Sequence, residues 1–322
     1  MTPTPTTAVT NGTSRCVGVW FALPWLVGVI GLVVLPVVGS LCMSLLHWDG
    51  LSLTRDVEWV GLDNYREILG DDPLFAKALG NSLYYSLIGT PLVLAASLAV
   101  SVLLSRRLRG IGLFRTLFYL PHVLGGVATV LIWSWLFNPR FGPINAMLGW
   151  CFATVDPLVR LFGAEGSSSW PTPKWFYSPQ WCKPALILMQ IWSFGGAMLI
   201  FLAALQHVPR SLDDAAAIDG AGRWRRFRHV TLPHLTPAIL FNLVTGLVFS
   251  MQAFHQAYLL TNRAQDDGLL FYVLYLYRCA FEPPYRVGYA SALAWIFFVV
   301  VFVLVLLAVW SARSWVFYEG ER

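Results

Sequence analysis

Charged residues are scarce in this chain. Asp, Glu, Lys and Arg make up 12% of its 322 residues, hydrophobic residues make up 57%, and the mean hydropathy is +0.62. Soluble domains usually carry about 25% charged residues, so this composition excludes an ordinary soluble protein and indicates an integral membrane protein. Six runs contain no Asp, Glu, Lys or Arg and are long enough to cross a bilayer as helices: Val17–Leu46, Asn81–Ser105, Thr116–Phe137, Pro184–His207, Pro237–Thr261 and Gly288–Ser311.

Motifs for catalysis and nucleotide binding are also lacking. The chain has three lysines, and none of them follows the glycine-rich spacing of a phosphate-binding loop. No HExxH or GxSxG motif is present, and the six histidines are scattered. We therefore expect no catalytic site, no metal site and no cofactor on this chain, and a membrane-embedded enzyme is weakly supported. Energy from ATP would have to come from a partner.

Ionisable residues inside a membrane span usually mark the path of a proton or a sodium ion. Among Asp, Glu, Lys, Arg and His, the six runs contain only histidines, such as His122 and His255. A carrier coupled to protons or sodium is therefore not favoured.

The six runs predict an all-α integral membrane fold, a bundle of six transmembrane helices. We expect a disordered tail at residues 1–16, one membrane domain over residues 17–312, and a short tail at residues 313–322. The segment Ile144–Gly163 is apolar but contains Asp156 and Arg160, and it is predicted to be interfacial or re-entrant. Cys151 and Cys182 fall in the same loop, where they either pair or remain free thiols.

Arginines are concentrated in two loops between the runs. Arg106–Arg115 contains four arginines in ten residues and Val208–Thr236 contains five, whereas the other loops carry basic residues at lower density. The positive-inside rule predicts that these two loops and both termini of a multi-pass membrane protein lie in the cytoplasm. The net charge of +5 is then a topology signal, and we expect no nucleic-acid partner.

The second arginine-rich loop contains the string LDDAAAIDGAGRWRRFRHVTLP, Leu212–Pro233. Acidic residues at its start suit a helix N-terminus, alanines favour the helix, and Asp219-Gly220 is typical of a helix end. A basic second helix with Trp224 and Phe227 follows. Such a short helix with a small-residue face can insert into a cleft on another protein, although an ordinary amphipathic loop is the alternative.

The ordered string resembles the EAA loop of binding-protein-dependent ABC importer permeases, in particular the sugar-type subfamily of the maltose and glycerol-3-phosphate systems. The residues that carry this resemblance are Pro209, Leu212, Asp214, Ala215, Ala216, Asp219, Gly220, Ala221, Phe227, Leu232 and Pro233. Three further stretches resemble the family in the expected order: Val60–Tyr65, Phe141–Asn145 and Gly288–Ala292.

The resemblance implies the partners of the chain. They are a second homologous permease, a dimer of ATPase subunits that holds ATP-Mg, an extracytoplasmic solute-binding protein, and the lipid bilayer. The EAA-like loop would be the coupling helix that docks on the ATPase. The coupling residues expected on this basis are Asp213, Asp214, Ala215, Ala216, Asp219, Gly220, Ala221 and Arg223.

Two positions depart from the family pattern. Asp214 stands where the family has a glutamate, so any salt bridge made there needs a different geometry. Thr261–Ala264 reads Thr-Asn-Arg-Ala where Gly-Gly-Pro is usual, which puts the contact with the solute-binding protein in doubt at that loop.

Uncharged polar and aromatic residues in the fourth and fifth runs suit the hydroxyls and C–H faces of a sugar. Thr245, Phe249, Gln252 and Gln256 are spaced by four, three and four residues and are expected near one helical face. The predicted solute-pathway residues are Gln190, Trp192, Thr245, Phe249, Gln252, His255 and Gln256. Hydrogen bonding between helices is an equally good explanation for any one of them.

The predicted function is that of a permease subunit of an ATP-driven importer for a sugar or sugar-like solute. The alternative is a six-span channel or facilitator that works without an ATPase. A polar pore without intramembrane acids or bases fits both, whereas the EAA-like loop favours the importer.

Overall fold

The computed structural model describes residues 13–50, 57–106, 109–161, 173–260 and 267–317. Within these ranges the chain is almost entirely helical, apart from one short antiparallel pair of strands, β1 (Leu46–His47) and β2 (Glu58–Trp59). In chain order the α-helices are α1 (Thr13–Val29), α2 (Leu35–Ser44), α3 (Asp63–Gly70), α4 (Pro73–Leu104), α5 (Ile111–Val123), α6 (Gly126–Leu136), α7 (Pro143–Leu161), α8 (Pro179–Trp192), α9 (Gly195–His207), α10 (Arg210–Ile218), α11 (Arg223–Arg226), α12 (Leu232–Met251), α13 (His255–Leu260), α14 (Tyr272–Phe281) and α15 (Val287–Ala312).

The chain divides into two compact units. Unit 1 comprises Met1–Gly70 and Cys279–Trp295, and unit 2 comprises Asp71–Arg278 and Ile296–Arg322. Helix α1 begins at Thr13, so the last four residues of the predicted disordered tail are helical, and residues 1–12 lie outside the described ranges. A π-helical segment, Ile30–Val34, joins α1 to α2.

The Val60–Tyr65 stretch lies in unit 1, where it leads from β2 into α3. The backbone of Gly61 is left-handed (φ 57°), which turns the chain from β2 into α3. The buried side chain of Asn64 then donates to the carbonyls of Ser44 (2.9 Å) and Leu46 (3.0 Å), at the end of α2 and in β1. Asn64 therefore fixes the start of α3 to the end of α2 and to β1.

In unit 2, helix α4 is bound to its neighbours by buried hydroxyl groups. Ser101 donates to the carbonyl of Met198 in α9 (2.9 Å). On the side facing α12, the Ser250 hydroxyl donates to Ser86 (2.6 Å) and lies 3.1 Å from the Thr90 hydroxyl. Interhelical hydrogen bonds and small residues are common means of helix association in membranes.

Each of the six apolar runs was predicted to be helical, and three of them are interrupted helices in the structure. The third run bends by 97° between α5 and α6, and the fourth bends by 44° between α8 and α9. The fifth is interrupted between Met251 and His255. Leu124 has an extended backbone (φ −65°, ψ 123°), and glycine pairs follow the bends at Gly125-Gly126 and Gly195-Gly196. Glycines are frequent at sharp helix kinks.

Four described helical stretches are long and apolar enough to cross a membrane: Phe21–Ser44, Pro73–Leu104, Arg223–Met251 and Val287–Ala312. The number rises to six if each bent pair forms one span, so the count of six remains a prediction. The described part of the segment predicted to be interfacial, Ile144–Gly163, lies in α7, and its depth in the membrane also remains a prediction. Cys151 and Cys182 are both free thiols, which resolves the open question of their pairing.

Candidate functional site

The EAA-like loop folds as a helix, a turn and a second helix, as the sequence predicts. The extended backbone of Pro209 (φ −63°, ψ 123°) precedes α10, and Asp213 lies in the first turn of that helix. After the turn, α11 continues through a π-helical segment, Phe227–Thr231, into α12. Arg223–Met251 is therefore one unbroken helical stretch of 29 residues.

The end of α10 is fixed by backbone hydrogen bonds. Gly220 is left-handed (φ 78°), its N–H donates to the Ala217 carbonyl (3.1 Å), and the Ala221 N–H donates to the Ala216 carbonyl (2.9 Å). This pair of bonds is a Schellman motif, which requires a residue that tolerates the left-handed region. The Asp-Gly-Ala string thus ends the helix abruptly.

The eight predicted coupling residues lie together on α10, the turn and the start of α11. Asp214, Ala215, Asp219, Gly220 and Arg223 are exposed, and Asp213, Ala216 and Ala221 are half-buried.

The predicted coupling residues do not include two large apolar side chains of the loop, Ile218 (87% exposed) and Trp224 (72% exposed). Ile218 directly precedes the Asp-Gly-Ala string, and this position is a signal by which it could have been included. Both side chains offer apolar contact area on the surface of the loop.

An ion pair joins the two arms of the loop. The Arg226 guanidinium donates to the Asp213 carboxylate at 3.1 Å. Asp213 therefore faces back towards α11, whereas Asp214 is exposed. Within this loop, the two adjacent acids have different surroundings.

The C-terminal end of the described chain lies at the same end of unit 2. The Phe317 N–H donates to the Thr236 hydroxyl at 2.9 Å, and the Phe317 ring contacts the His234 ring, with centroids 5.6 Å apart. The segment after α15 is therefore adjacent to the base of α12 and to the EAA-like loop.

A cavity of about 560 Å³ lies inside unit 2, at the other end of the Arg223–Met251 stretch. The breaks in the three interrupted runs border it, with His122 from α5, Ser193 and Gly196 from the α8–α9 bend, and Gln252 from the end of α12. His122 fits against the α8–α9 bend because Gly196 has no side chain, and a Cβ there would collide with the imidazole ring. The interruptions thus create the space that the cavity occupies.

Six of the seven predicted solute-pathway residues line this cavity: Gln190, Thr245, Phe249, Gln252, His255 and Gln256. The predicted single helical face does not exist, because α12 ends at Met251. The break after it nevertheless turns His255 and Gln256 towards the same space. Trp192 is not among the lining residues, and its ring packs edge-on against Trp133 with centroids 5.8 Å apart.

The described wall of the cavity is largely apolar and carries a smaller share of polar groups. None of the described lining residues is Asp, Glu, Lys or Arg, and the wall combines amides and hydroxyls with the aromatic rings of Phe249 and Phe254. The Gln190 Oε1 atom is buried and accepts no hydrogen bond from the described protein residues. A buried acceptor without a donor carries a free-energy cost. A hydroxyl group of a bound molecule would remove that cost.

Comparison with known proteins agrees with this geometry. Residues 6–316 match the family described as "Binding-protein-dependent transport system inner membrane component". The chain is 36% identical to the probable ABC transporter permease protein YesP of Bacillus subtilis strain 168, over 95% of this chain and 93% of that protein. It is 29% identical to the lactose transport system permease protein LacF of Rhizobium radiobacter, over 87% and 88%.

A solved structure has the same fold. It is a chain of a bacterial alginate ABC transporter in complex with an alginate pentasaccharide-bound periplasmic protein, with a TM-score of 0.74, 22% identity, and coverage of 92% of this chain and 93% of that one. These matches confirm the resemblance that the EAA-like loop indicated. The chain therefore belongs to the family of binding-protein-dependent transport system inner membrane components, the permease subunits of ABC importers.

Proposed function

We propose that this chain forms one half of the translocation pathway of an importer for a sugar or sugar-like solute. The observation that carries the proposal is the unbroken helix Arg223–Met251, which runs from the EAA-like loop to the cavity wall at Gln252. A movement of α10 on a partner would therefore reach the cavity along one continuous helical stretch.

The exposed tip of α10 supports docking on an ATPase subunit. Its small residues, Ala215 and Gly220, allow close approach, while Ile218 supplies apolar area. The ATPase dimer holds ATP-Mg, and this chain contributes no group to hydrolysis. Closure of the dimer moves the coupling helices of the two permeases together, and the pathway alternates between outward and inward access.

The uncharged wall of the cavity supports a sugar as the solute. Amide and hydroxyl groups exchange hydrogen bonds with sugar hydroxyls, and Phe249 and Phe254 offer rings for the C–H faces. The names of two similar proteins point the same way, since LacF belongs to a lactose system and the solved structure belongs to an alginate transporter. The solute is delivered by an extracytoplasmic binding protein.

The orientation follows from the arginines. Arg106 and Arg115 line one opening together with Arg210 and Arg223 of the EAA-like loop. In this proposal the loop and both termini face the cytoplasm. Thr261–Ala264, where the sequence departs from the family, lies outside the described residues, and we place it on the outer face.

Affinity purification from the native host tests the proposal. A tagged chain is extracted in mild detergent, and the co-purifying proteins are identified. We expect an ATPase subunit, a second permease and, in the presence of solute, a binding protein. Purification of the chain alone or as a homo-oligomer, with Arg210–Pro237 open to protease, would instead support the channel alternative.

A further inference from the structure

A second, larger opening lies at the arginine-rich end of unit 2. It has a volume of about 940 Å³ and is bordered by the ends of α4 and α9, by α5, and by described residues of the two arginine-rich loops. Five arginines and one acid line it: Arg106, Arg115, Arg210, Arg223, Arg226 and Asp213. We call it the arginine cleft.

The positive charge of the arginine cleft is not balanced by the described protein residues. Asp213 is the one carboxylate in its wall, and it already forms the ion pair with Arg226. The Arg115 guanidinium donates to the Leu104 carbonyl at 3.0 Å, which is a neutral acceptor. Within the described ranges, Arg106, Arg210 and Arg223 form no ion pair.

Two guanidinium atoms in the cleft are also without a hydrogen-bond acceptor. The Nε atoms of Arg115 and Arg226 are buried, and no described protein atom accepts from them. Buried donors of a charged group are costly unless they are paired. Both observations favour the binding of an anion in the cleft.

The wall of the cleft indicates which anion fits. Guanidinium groups bind phosphate oxygens through parallel N–H donors, and several guanidinium groups are available here. Leu202, Leu205 and Phe227 give the same cleft an apolar side. We propose that the arginine cleft binds a phosphate group, carried either by the headgroup of an acidic phospholipid or by free phosphate.

This inference goes beyond the proposed transport function and does not depend on the identity of the solute. The test uses the intact transporter complex in a neutral detergent. Its thermal unfolding midpoint is measured during titration with phosphatidylglycerol, with phosphatidylcholine and with inorganic phosphate. Lipids that remain bound are identified by native mass spectrometry.

We expect phosphatidylglycerol to raise the midpoint and phosphatidylcholine to leave it unchanged. If inorganic phosphate alone produces the full shift, free phosphate is the ligand, and if it produces none, the ligand is the lipid. Arg115→Gln is expected to weaken anion binding about tenfold, since it removes a charge-assisted contact. Arg106→Gln provides a second variant that leaves the bond to Leu104 intact. Arg228→Gln is the matched control, because Arg228 is exposed outside the cleft and carries the same charge at the same end.

Two outcomes would overturn the proposal. In the first, neither anion shifts the midpoint, or the Arg115, Arg106 and Arg228 variants respond alike. In the second, the anions act only after the ATPase subunits are stripped from the complex, which would show that carboxylates of the ATPase neutralise the arginines instead.

Discussion

The backbone N–H of Ala221 donates to the carbonyl of Ala216 at 2.9 Å, and this bond lies at the end of the helix that carries most of the predicted coupling residues. It forms because Gly220, between the two, adopts a left-handed backbone with φ 78°. The shape of the C-terminal end of α10, where docking is proposed, therefore depends on the backbone conformation of Gly220.

Gly220→Val is expected to abolish solute uptake, because a β-branched residue in the left-handed region costs roughly 1–2 kcal/mol and would open the turn. No atom lies within 4 Å of the Cβ position, so the effect is conformational. Gly220→Asn should retain part of the uptake, since Asn tolerates this region. Gly222→Val is the matched control, with an equally open Cβ position and a φ of −64°. Equal loss at both glycines would refute the role of the left-handed backbone.

Ile218→Glu should remove the ATPase subunit from the purified complex while leaving the fold intact. The side chain is 87% exposed, so its replacement does not disturb the interior of the permease. Quantification of the ATPase by mass spectrometry measures the first effect, and the unfolding midpoint of the permease measures the second. Ser211→Asp is the control on the same helix, because an acid in the first turn is favourable. Retention of the ATPase by the Glu variant would contradict docking through this tip.

Arg226→Asp should lower uptake several-fold, because it breaks the ion pair with Asp213 (3.1 Å) and places two acids face to face. The double variant Asp213→Arg/Arg226→Asp should recover much of the loss if the pair acts by joining the two arms. Partly exposed pairs contribute up to about 1 kcal/mol, so the effect on insertion and on overall stability should be small. Absence of recovery in the double variant would mean that each side chain acts separately.

Gln190→Leu should raise the KM for solute uptake roughly fivefold, as expected for the loss of one neutral hydrogen bond. The Gln190 side chain borders the cavity, and its Oε1 atom accepts no hydrogen bond from the described protein residues. Trp192→Phe should leave KM unchanged, because Trp192 packs against Trp133 away from the cavity lining. The reverse pattern would restore Trp192 as a solute contact and place the pathway elsewhere.

Ser250→Ala should destabilise the permease by about 1–2 kcal/mol, measured as a lower unfolding midpoint in detergent. Its hydroxyl is buried between Ser86 and Thr90, and both would lose a partner. Ser311→Ala is the control, since the Ser311 hydroxyl bonds within its own helix to the Ala308 carbonyl. Similar midpoints for the two variants would rule out a role for the buried hydroxyl group.

Much of the coupling loop could be predicted from the sequence, because its signals are local. Proline before the helix, acids in the first turn and Asp-Gly at the end act within one or two helical turns, and the structure follows them from Pro209 to Gly220. The exposure of Ile218 was missed because an apolar residue in a membrane protein is usually assigned to the interior or to lipid.

The cavity was harder to predict because it depends on interrupted helices. Hydropathy does not distinguish a continuous apolar helix from two helices that meet at 97°. The regular spacing from Thr245 to Gln256 assumed a helix that in fact ends at Met251. The residues still converge because the break redirects the chain towards the same space. The position of Trp192 depends on Trp133, a partner from a distant part of the chain.

The unbroken stretch of 29 residues from Arg223 to Met251 is about 43 Å long at 1.5 Å per residue. A straight helix of this length converts a small rotation at one end into a larger displacement at the other end. A tilt of only 3° about its arginine end displaces the far end by roughly 2 Å, which is close to the difference between a made and a broken hydrogen bond. The stretch ends beside Gln252, which lines the cavity, so that displacement would reach the space where we propose that the solute binds.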